Sequence, residues 1–545
     1  MPLGLILSAA ARNGYGQTAD SRQGIDAAMA QLTRTVSHPG FDPGMLSSAG
    51  RNLVNIAQRW HALRGKSLTT AEQPAKFPAN LAHSKYSGFT QSGTSTAWCG
   101  RSAVIAFNDT GAEVATMSSG RGISADGYAV SGDHGTSFTY MGSPATPNDP
   151  NTFMAGEPAV ACTSRDNFFL VSTWLDGTNA ISGVSLSRSV DGGRSFAAPG
   201  VIAGAPLTTH LTDRPWIAVD PNARNRLYVV YTDLDFTGSL CGILDDTPIP
   251  RYAIELVSSS DGGVTWSAPP VVVGEVCADA EHSFAFVNGA QVAVGRKGEV
   301  YVAWEAFGVN SNPRGETSAV LNSTDLGRAI HFARSLDHGA TFSAPLSATT
   351  VNCAGDCTNW QGLFRSNEYP SLAIGKGPYN QTKIYLAWND GNKAVADSLS
   401  PSGFYHYTDI MIIRSADGGA TWSTPKRVNN NPEANGASLT DQFEPALATA
   451  ADGRVAVCFY DRRNDPKNFL IDRYCAASQF NGPWTNTRIT SKSFPVLIGQ
   501  DLLVAADDMG DHDGLASDFN NSYPGFLGGF ATNASGNPSV RVNRY

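Results

Sequence analysis

SSDGGVTW, residues 259–266, decides the fold, because the chain repeats it four more times with small changes. It reads SGDHGTSF from Ser131, SVDGGRSF from Ser189, SLDHGATF from Ser335 and SADGGATW from Ser415. The shared phrase is Ser-x-Asp-x-Gly-x-Ser/Thr-aromatic, and its starts are 58, 70, 76 and 80 residues apart. Recurrence at a long, loose period marks a repeat architecture. The chemistry of the phrase is that of a tight hairpin. The Asp carboxylate and Ser hydroxyl can bond backbone N–H groups across the turn. The Gly supplies a positive φ, and the terminal aromatic is expected to bury itself between units.

Around these turns the chain reads as strand, turn, strand from about residue 85. Several units open on a similar short strand: EPAVAC at Glu157, RPWIAVD at Arg214, YPSLAIG at Tyr369 and EPALATA at Glu444, with weaker relatives GAQVAVG at Gly289 and DGLAS at Asp513. A second strand follows, as in RLYVVYTD, EVYVAWEA, KIYLAWND and RVAVCFYD. An extra unit before Glu157, with SAVIAFND and the box at Ser131, brings the count to seven. The last unit, from Leu502, lacks a box and is one strand short. In a closed ring, a segment from the other terminus is expected to complete such a unit and remove its exposed edge.

The phrase is the Asp-box, and through it the chain resembles the sialidase-like β-propellers over residues 85–545. The resemblance implies an all-β propeller, here of seven blades with six the family alternative. It also implies boxes on the outer rim, away from the ligand-binding end. Asp133, Asp191, Asp261, Asp337 and Asp417 are therefore turn-formers. Before the propeller, residues 18–80 form a helical extension. Ile25, Ala28, Met29, Leu32 and Val36 recur at helical spacing, as do Leu53, Ile56, Ala57, Trp60 and Leu63. The Ser37-His38-Pro39-Gly40 stretch separates the two helices, which are expected to pack on the propeller. Residues 1–17 carry a short apolar run, Leu3 to Ala11, that reads as the remnant of an export signal or as disorder.

Composition narrows the partners. The net charge of −9 over 545 residues speaks against a nucleic-acid partner, which calls for a basic face. No stretch is long and apolar enough to span a bilayer. Eight cysteines without paired C-x-x-C spacing fit disulfides in a secreted or periplasmic protein better than a zinc site. Cys353 with Cys357, and Cys458 with Cys475, are the expected pairs. The oligomeric state is not legible.

The opening strands carry the site argument. Aligned, they place Glu157, Arg214, Gly289, Tyr369, Glu444 and Asp513 at one equivalent position, where innermost strands enter the axial pocket. The sialidase resemblance implies three arginines gripping a carboxylate, a Tyr nucleophile with a Glu as its base, and an Asp as acid/base. Carried over, Arg214, Arg365 and Arg462 form the grip, Tyr369 is the nucleophile and Glu444 its base. The family's Phe/Tyr-Arg-Ile-Pro motif is absent, with Arg214-Pro215 a partial echo. Tyr369 also precedes Glu444, whereas the family's Tyr follows its Glu. A general glycosidase needs two opposed carboxyl groups, which Glu157, Glu444 and Asp513 can supply.

The expectation is thus a glycoside hydrolase acting on a glycan or other small carbohydrate. A non-catalytic glycan- or protein-binding propeller is the alternative. Its site would lie on the insertions at 233–251, 306–328 and 349–367, with Tyr252, Phe307, Trp360 and Phe364 stacking on sugar rings. A polysaccharide lyase comes third, using Tyr369, His210 or His282 as base and Arg214 to neutralise a uronate. No cofactor is expected. The Asp507, Asp508, Asp511 and His512 cluster has oxygen ligands for a structural calcium but no EF-hand pattern, and reads by default as a solvated acidic loop.

Overall fold

The computed structural model describes residues 23–37, 41, 46–64, 76–78, 89–278, 285–308, 327–355, 360–362, 364–377, 381–398, 403–432, 439–479, 482–496, 501, 503–505, 508–532 and 539–545. Seven antiparallel sheets follow one another along the chain as the blades of a β-propeller. Blades 1 to 3 are built on the innermost strands Gln91–Cys99, Ala159–Cys162 and His210–Val219. Blades 4 to 7 are built on Phe286–Val294, Ser371–Lys376, Gln442–Thr449 and Leu515–Ser517. Within a blade the strands pair almost entirely with the next in sequence, the parallel pair Ile123–Ser124 with Thr152–Met154 in blade 2 being an exception, so contacts are local and every inner strand points the same way down the axis. Short Val, Ile, Tyr and Trp-rich second strands, such as Val300–Phe307, are buried along their whole length between neighbouring blades.

The boxes sit where the repeat predicts, at the turn between third and fourth strands of blades 1 to 5. Asp133 shows their construction. Its carboxylate accepts from Thr136 N at 3.1 Å, Ser137 N at 2.8 Å, Ser131 Oγ at 2.7 Å and Ser137 Oγ at 2.6 Å. Gly135 has φ +79°, a conformation that a Cβ resists. Strands alternate in direction, so this turn lies at the opposite end of the blade from the start of the innermost strand. The box aromatics are less uniform than expected. Phe138 and Phe196 are buried, but Trp266, Phe342 and Trp422 are only half-buried, each covered on one face. A last-position aromatic on the rim meets the neighbouring blade on one side and water on the other.

The closure of the ring differs from the expectation. The described part of blade 7 has three strands, Leu515–Ser517, Phe526–Thr532 and Ser539–Arg544. The N-terminal strand Lys76–Pro78 pairs instead with the outer strand of blade 1. Blades 7 and 1 meet through an apolar cluster, Trp98, Phe107 and Phe138 with Leu527, Val540 and Val542, and through threonines. Thr94 Oγ1 donates to Gly529 O at 2.9 Å and accepts from Gly514 N at 2.9 Å, while Thr96 Oγ1 donates to Gly514 O at 3.2 Å.

Three disulfides are described: Cys99–Cys162, Cys241–Cys277 and Cys458–Cys475. The last is the pair read from the sequence, and its cysteines face each other on adjacent strands. Cys353 is also disulfide-bonded, and Cys357 lies outside the described residues. Among the described residues no helix is long and apolar enough to cross a membrane.

Helices α1 (Gln23–Thr35) and α2 (Ser48–Arg64) form the helical pair. Their apolar stripes, Ile25, Met29 and Leu32 on one and Leu53, Ile56 and Trp60 on the other, join a single core with Leu207, Leu211, Leu234, Phe236 and Phe286 of blades 2 to 4. Trp60 Nε1 donates to Asp26 Oδ1 at 2.8 Å and ties the helices together. Full burial of each such side chain is worth about 1.5–3 kcal/mol, so the pair is firmly held.

Candidate functional site

The site begins with a backbone irregularity repeated around the axis. At the mouth end, inner strands slip register between Ser92 and Thr94, Asp213 and Trp216, Asn288 and Gln291, and Phe443 and Ala446. Blade 2 breaks there altogether, because Thr152–Met154 and Ala159–Cys162 both pair with Phe168–Asp176 and Glu157 sits in the gap. Proline follows Glu157, Arg214, Tyr369 and Glu444; it has no N–H for the ladder, so pairing lapses at that step. The residue at the slip has positive φ: Gly93 +59°, Glu157 +55°, Arg214 +50°, Gly289 +71° and Glu444 +50°. Glycine takes this geometry freely, whereas Glu and Arg are strained by roughly 1–2 kcal/mol each. Three charged side chains are thus held over the axis at a conformational cost.

They converge on one buried cluster. Arg214, 2% exposed, stacks on the Tyr369 ring with its guanidinium 4.0 Å from the centroid. Burial, then the charge of Asp511, pushes the Tyr369 phenol well above its usual range, while Arg214 and Arg365 pull the other way. Glu305 bears on the same phenol and is itself raised by burial, partly offset by Arg328, Arg365 and Arg214. Arg328 pairs with Glu305 at 3.6 Å and with Glu368. On the next blades Asp513 is paired to Arg473 at 2.9 Å, yet burial lifts it to about 6. Glu444 is pushed well up by burial, then by Asp513 and Asp511. Glu157 is raised by burial, then by Asp511. Burial opposes ionisation of Asp511 as well, but Arg214 and the 2.8 Å contact with His512 Nδ1 outweigh it and hold that carboxyl low. His512 is kept neutral by burial and by Arg214.

Several of these polar atoms have no hydrogen-bond partner among the described residues: Arg214 Nε and Nη1, Tyr369 Oη, Glu444 Oε1 and Glu157 Oε2. An unmet buried polar group costs about 1–3 kcal/mol. A cluster of them beside strained backbone is the signature of a site built for something other than stability. Glu157, Asp511 and His512 present ligand atoms within 4.8 Å of one another, a mixed nitrogen and oxygen set suited to a metal ion. The fixed positive charge of Arg214 beside them opposes a second cation there.

The N-terminus of α2 closes the mouth from above. Ser47 donates to Asp213 from its N at 2.7 Å and its Oγ at 2.5 Å. Ser48 N donates to Asp511 at 2.8 Å and Ala49 N to Glu157 Oε1 at 2.9 Å. Ser48 Oγ and Asn52 Nδ2 both donate to Asp508 at 2.7 Å. The approach is close enough to need glycine. A Cβ on Gly50 would meet Asp213 Oδ1 at 2.9 Å, and one on Gly156 would meet the Ala49 Cβ at 2.8 Å.

Of the residues expected from sequence, Glu157, Arg214, Tyr369, Glu444, Asp513 and Arg365 come together here. Arg462 does not. It is fully buried in its own ion pair with Asp441 at 3.3 Å, donates to Gln361 O at 2.7 Å and faces Phe364 and Phe443. The acidic loop reading is corrected as well: Asp508, Asp511 and His512 are buried, not solvated, because α2 and the ring cover them. His210 pairs with Asp233 at 3.0 Å at the edge of blade 3, while Asp507 and His282 lie outside the described residues. Tyr252, Phe307, Trp360 and Phe364 are buried in the core and present no face to a sugar.

The residues missed are Glu305, Arg328 and Arg473. Glu305 had a signal. The second strands align as the first ones do, with Asn108, Thr232, Glu305, Asn389 and Tyr460 in one column. The register bears this out, pairing Ser92 with Asn108, Asp213 with Thr232, Asn288 with Glu305 and Phe443 with Tyr460. This second ring supports the first: Asn108 Oδ1 accepts from Glu157 N at 2.7 Å and Asn389 Oδ1 from Glu444 N at 3.3 Å.

No family model and no curated protein matches the chain. Among solved structures it is similar to an ulvan lyase of a new polysaccharide lyase family, at 9% identity over 85% of this chain and 96% of that one, TM-score 0.48. It is similar to the α-L-arabinanase of Penicillium chrysogenum complexed with arabinobiose, at 13% identity over 69% and 90% of the chains, TM-score 0.37. It is similar also to the sialidase of Trypanosoma rangeli in complex with 2,3-difluorosialic acid, at 12% identity over 71% and 53%, TM-score 0.34. The likeness is one of architecture, the β-propeller described above.

Proposed function

We propose that the chain is an exported, sialidase-like glycoside hydrolase that acts on a carboxylated sugar with Tyr369 as nucleophile. The observation that carries this reading is the setting of Tyr369. Its buried hydroxyl has no partner among the described residues, Arg214 lies on its ring, and the charges of Arg365, Arg328 and Glu305 bear on it. Guanidinium groups bind carboxylates in a bidentate fork, so Arg214, Arg328 and Arg365 form the grip on the substrate's carboxylate. Glu305 precedes Tyr369 in the chain, the order that the sialidase resemblance implies, and it takes the base's role in place of Glu444. The phenol oxygen attacks the anomeric carbon as its proton passes to Glu305. Glu444, whose pKa burial pushes well up in favour of the protonated form, gives a proton to the departing glycosidic oxygen. Water then cleaves the glycosyl–tyrosine bond, with the two protons returned. Three disulfides support export.

A screen against sialosides, neutral glycosides and uronate polymers tests the reading. A fluorinated acidic glycoside is expected to leave a covalent adduct on Tyr369, read by mass spectrometry of the digested protein. An adduct on another residue rejects Tyr369 as nucleophile. An unsaturated product from a uronate polymer would reject hydrolysis in favour of elimination.

A further inference from the structure

We infer that the N-terminus of α2 is an intrasteric plug that occupies the substrate's seat, its N–H and O–H donors standing where the hydroxyls of the sugar would lie. The inference rests on the hydrolase reading for the identity of the displaced ligand, and on the geometry of α2 for the displacement itself.

Three observations carry it. Glu157, Arg214, Tyr369, Glu444 and Asp511 are each no more than 5% exposed, and the start of α2 sits directly on Glu157 and Asp511. Next, the helix end makes the contacts a polyhydroxylated ligand would make. It puts amide and hydroxyl donors on Asp213, Asp511, Asp508 and Glu157, four carboxylates from blades 2, 3 and the approach to blade 7, and its dipole favours that negative ring. Finally, the fit is partial. Asp213, Asp508 and Asp511 are satisfied, whereas Glu157 Oε2, Arg214 Nε and Nη1, Tyr369 Oη and Glu444 Oε1 are not. A stand-in for the hydroxyls of a substrate, lacking its carboxylate and anomeric centre, would leave this set unmet.

The apolar faces of α1 and α2 on blades 2 to 4 hold the plug too firmly for thermal opening alone, so release calls for chain cleavage beyond α2 or competition by substrate. The test uses the full chain carrying Ser47→Glu and Ser48→Glu, which set carboxylates against Asp213, Asp508 and Asp511. Expected is a rise in turnover of at least about tenfold (1.4 kcal/mol of lost competition), with new tryptic cleavage at the otherwise buried Arg51 and an unchanged propeller melting transition. Cleavage at Arg51 without any gain in turnover overturns the plug. If the double variant does not fold, Ser47→Ala with Ser48→Ala and amide hydrogen exchange on the wild type replace it. Loss of protection at Ser48 and Ala49 on adding N-acetylneuraminic acid or oligogalacturonate supports displacement; protection that persists while substrate is turned over overturns it. Should no form of the protein turn over any glycan, binding of the same two probes separates the two ideas. A tenfold tighter affinity in the variant keeps the plug and rejects the hydrolase, and equal affinity, or no binding, rejects the plug.

Discussion

The two ends of each blade use carboxylates in opposite ways. At the rim, the Asp of each box lies near solvent and accepts hydrogen bonds from up to four donors of its own turn, which lowers its pKa, to about 2 for Asp133 and Asp337. At the axial mouth, Glu157 and Glu444 are buried, strained at positive φ, raised in pKa and incompletely bonded. The rim carboxylate stabilises a turn, so repetition five times over costs nothing. The mouth carboxylates stabilise little by themselves, and on the reading proposed above they serve a ligand.

The contrast is most exposed to failure in turnover. Tyr369→Phe and Glu444→Gln at the mouth are expected to lower kcat by about 10²–10⁴-fold with the fold intact, while Asp133→Asn at the rim leaves kcat alone; both are read by steady-state kinetics once substrate is found. Unchanged activity in Tyr369→Phe would erase the distinction. Next comes the ion pair that anchors the mouth. Arg473→Met leaves the buried Asp513 uncompensated and should cost about 3–5 kcal/mol in urea unfolding; a loss below 1 kcal/mol would mean that Asp513 simply stays protonated.

Smaller effects sharpen the sign. Asp133→Asn should cost about 1 kcal/mol through weakened bonds to Ser137 and Thr136. Glu157→Gln should leave stability at neutral pH unchanged or higher, because a carboxyl whose folded pKa is raised loses stability as pH rises above its unfolded value. Melting temperatures that fall in both variants would break the comparison. The same linkage predicts a shallow slope with pH. Asp126, buried and pushed up to about 7, contributes stability at about pH 4 that is lost as pH rises toward 7, whereas Asp133 contributes stability that is lost as pH falls from about 4 to 2. Asp126→Asn should flatten the first limb only.

Much of this was legible in the sequence, for physical reasons. The box is a local object, since four residues contain its whole hydrogen-bond logic, so five copies announce the propeller. The opening strands were nearly as plain, because proline after Glu157, Arg214, Tyr369 and Glu444 marks the slip that lifts those side chains over the axis. Glu305 hid in a second strand, whose pattern is dominated by Val, Ala and Trp and whose polar column shows only when the second strands are aligned with one another. Asp511 hid because DDMGDHD looks like a solvated loop, and only tertiary packing under α2 makes it a buried charge. Arg462 misled in the reverse sense: an arginine near the mouth is indistinguishable in sequence from one neutralised by Asp441. Cys99 and Cys162 join different blades, a pairing that no local spacing reveals.

That bond and the threonine seam together set how the ring would come apart. Cys99–Cys162 ties blade 1 covalently to blade 2, while blades 7 and 1 are joined by side chains such as Thr94 and Thr96 rather than by a shared ladder. The other neighbouring blades, 7 and 1 included, are held by packing such as that of Trp98 and Phe107 on Leu527 and Val542, so under denaturant blades 1 and 2 are expected to stay linked after the rest of the circle has parted. The propeller behaves mechanically as a book with a spine, and α2, whose contacts reach Asp508 and Asp511 on one cover and Glu157 and Asp213 on the other, is its clasp.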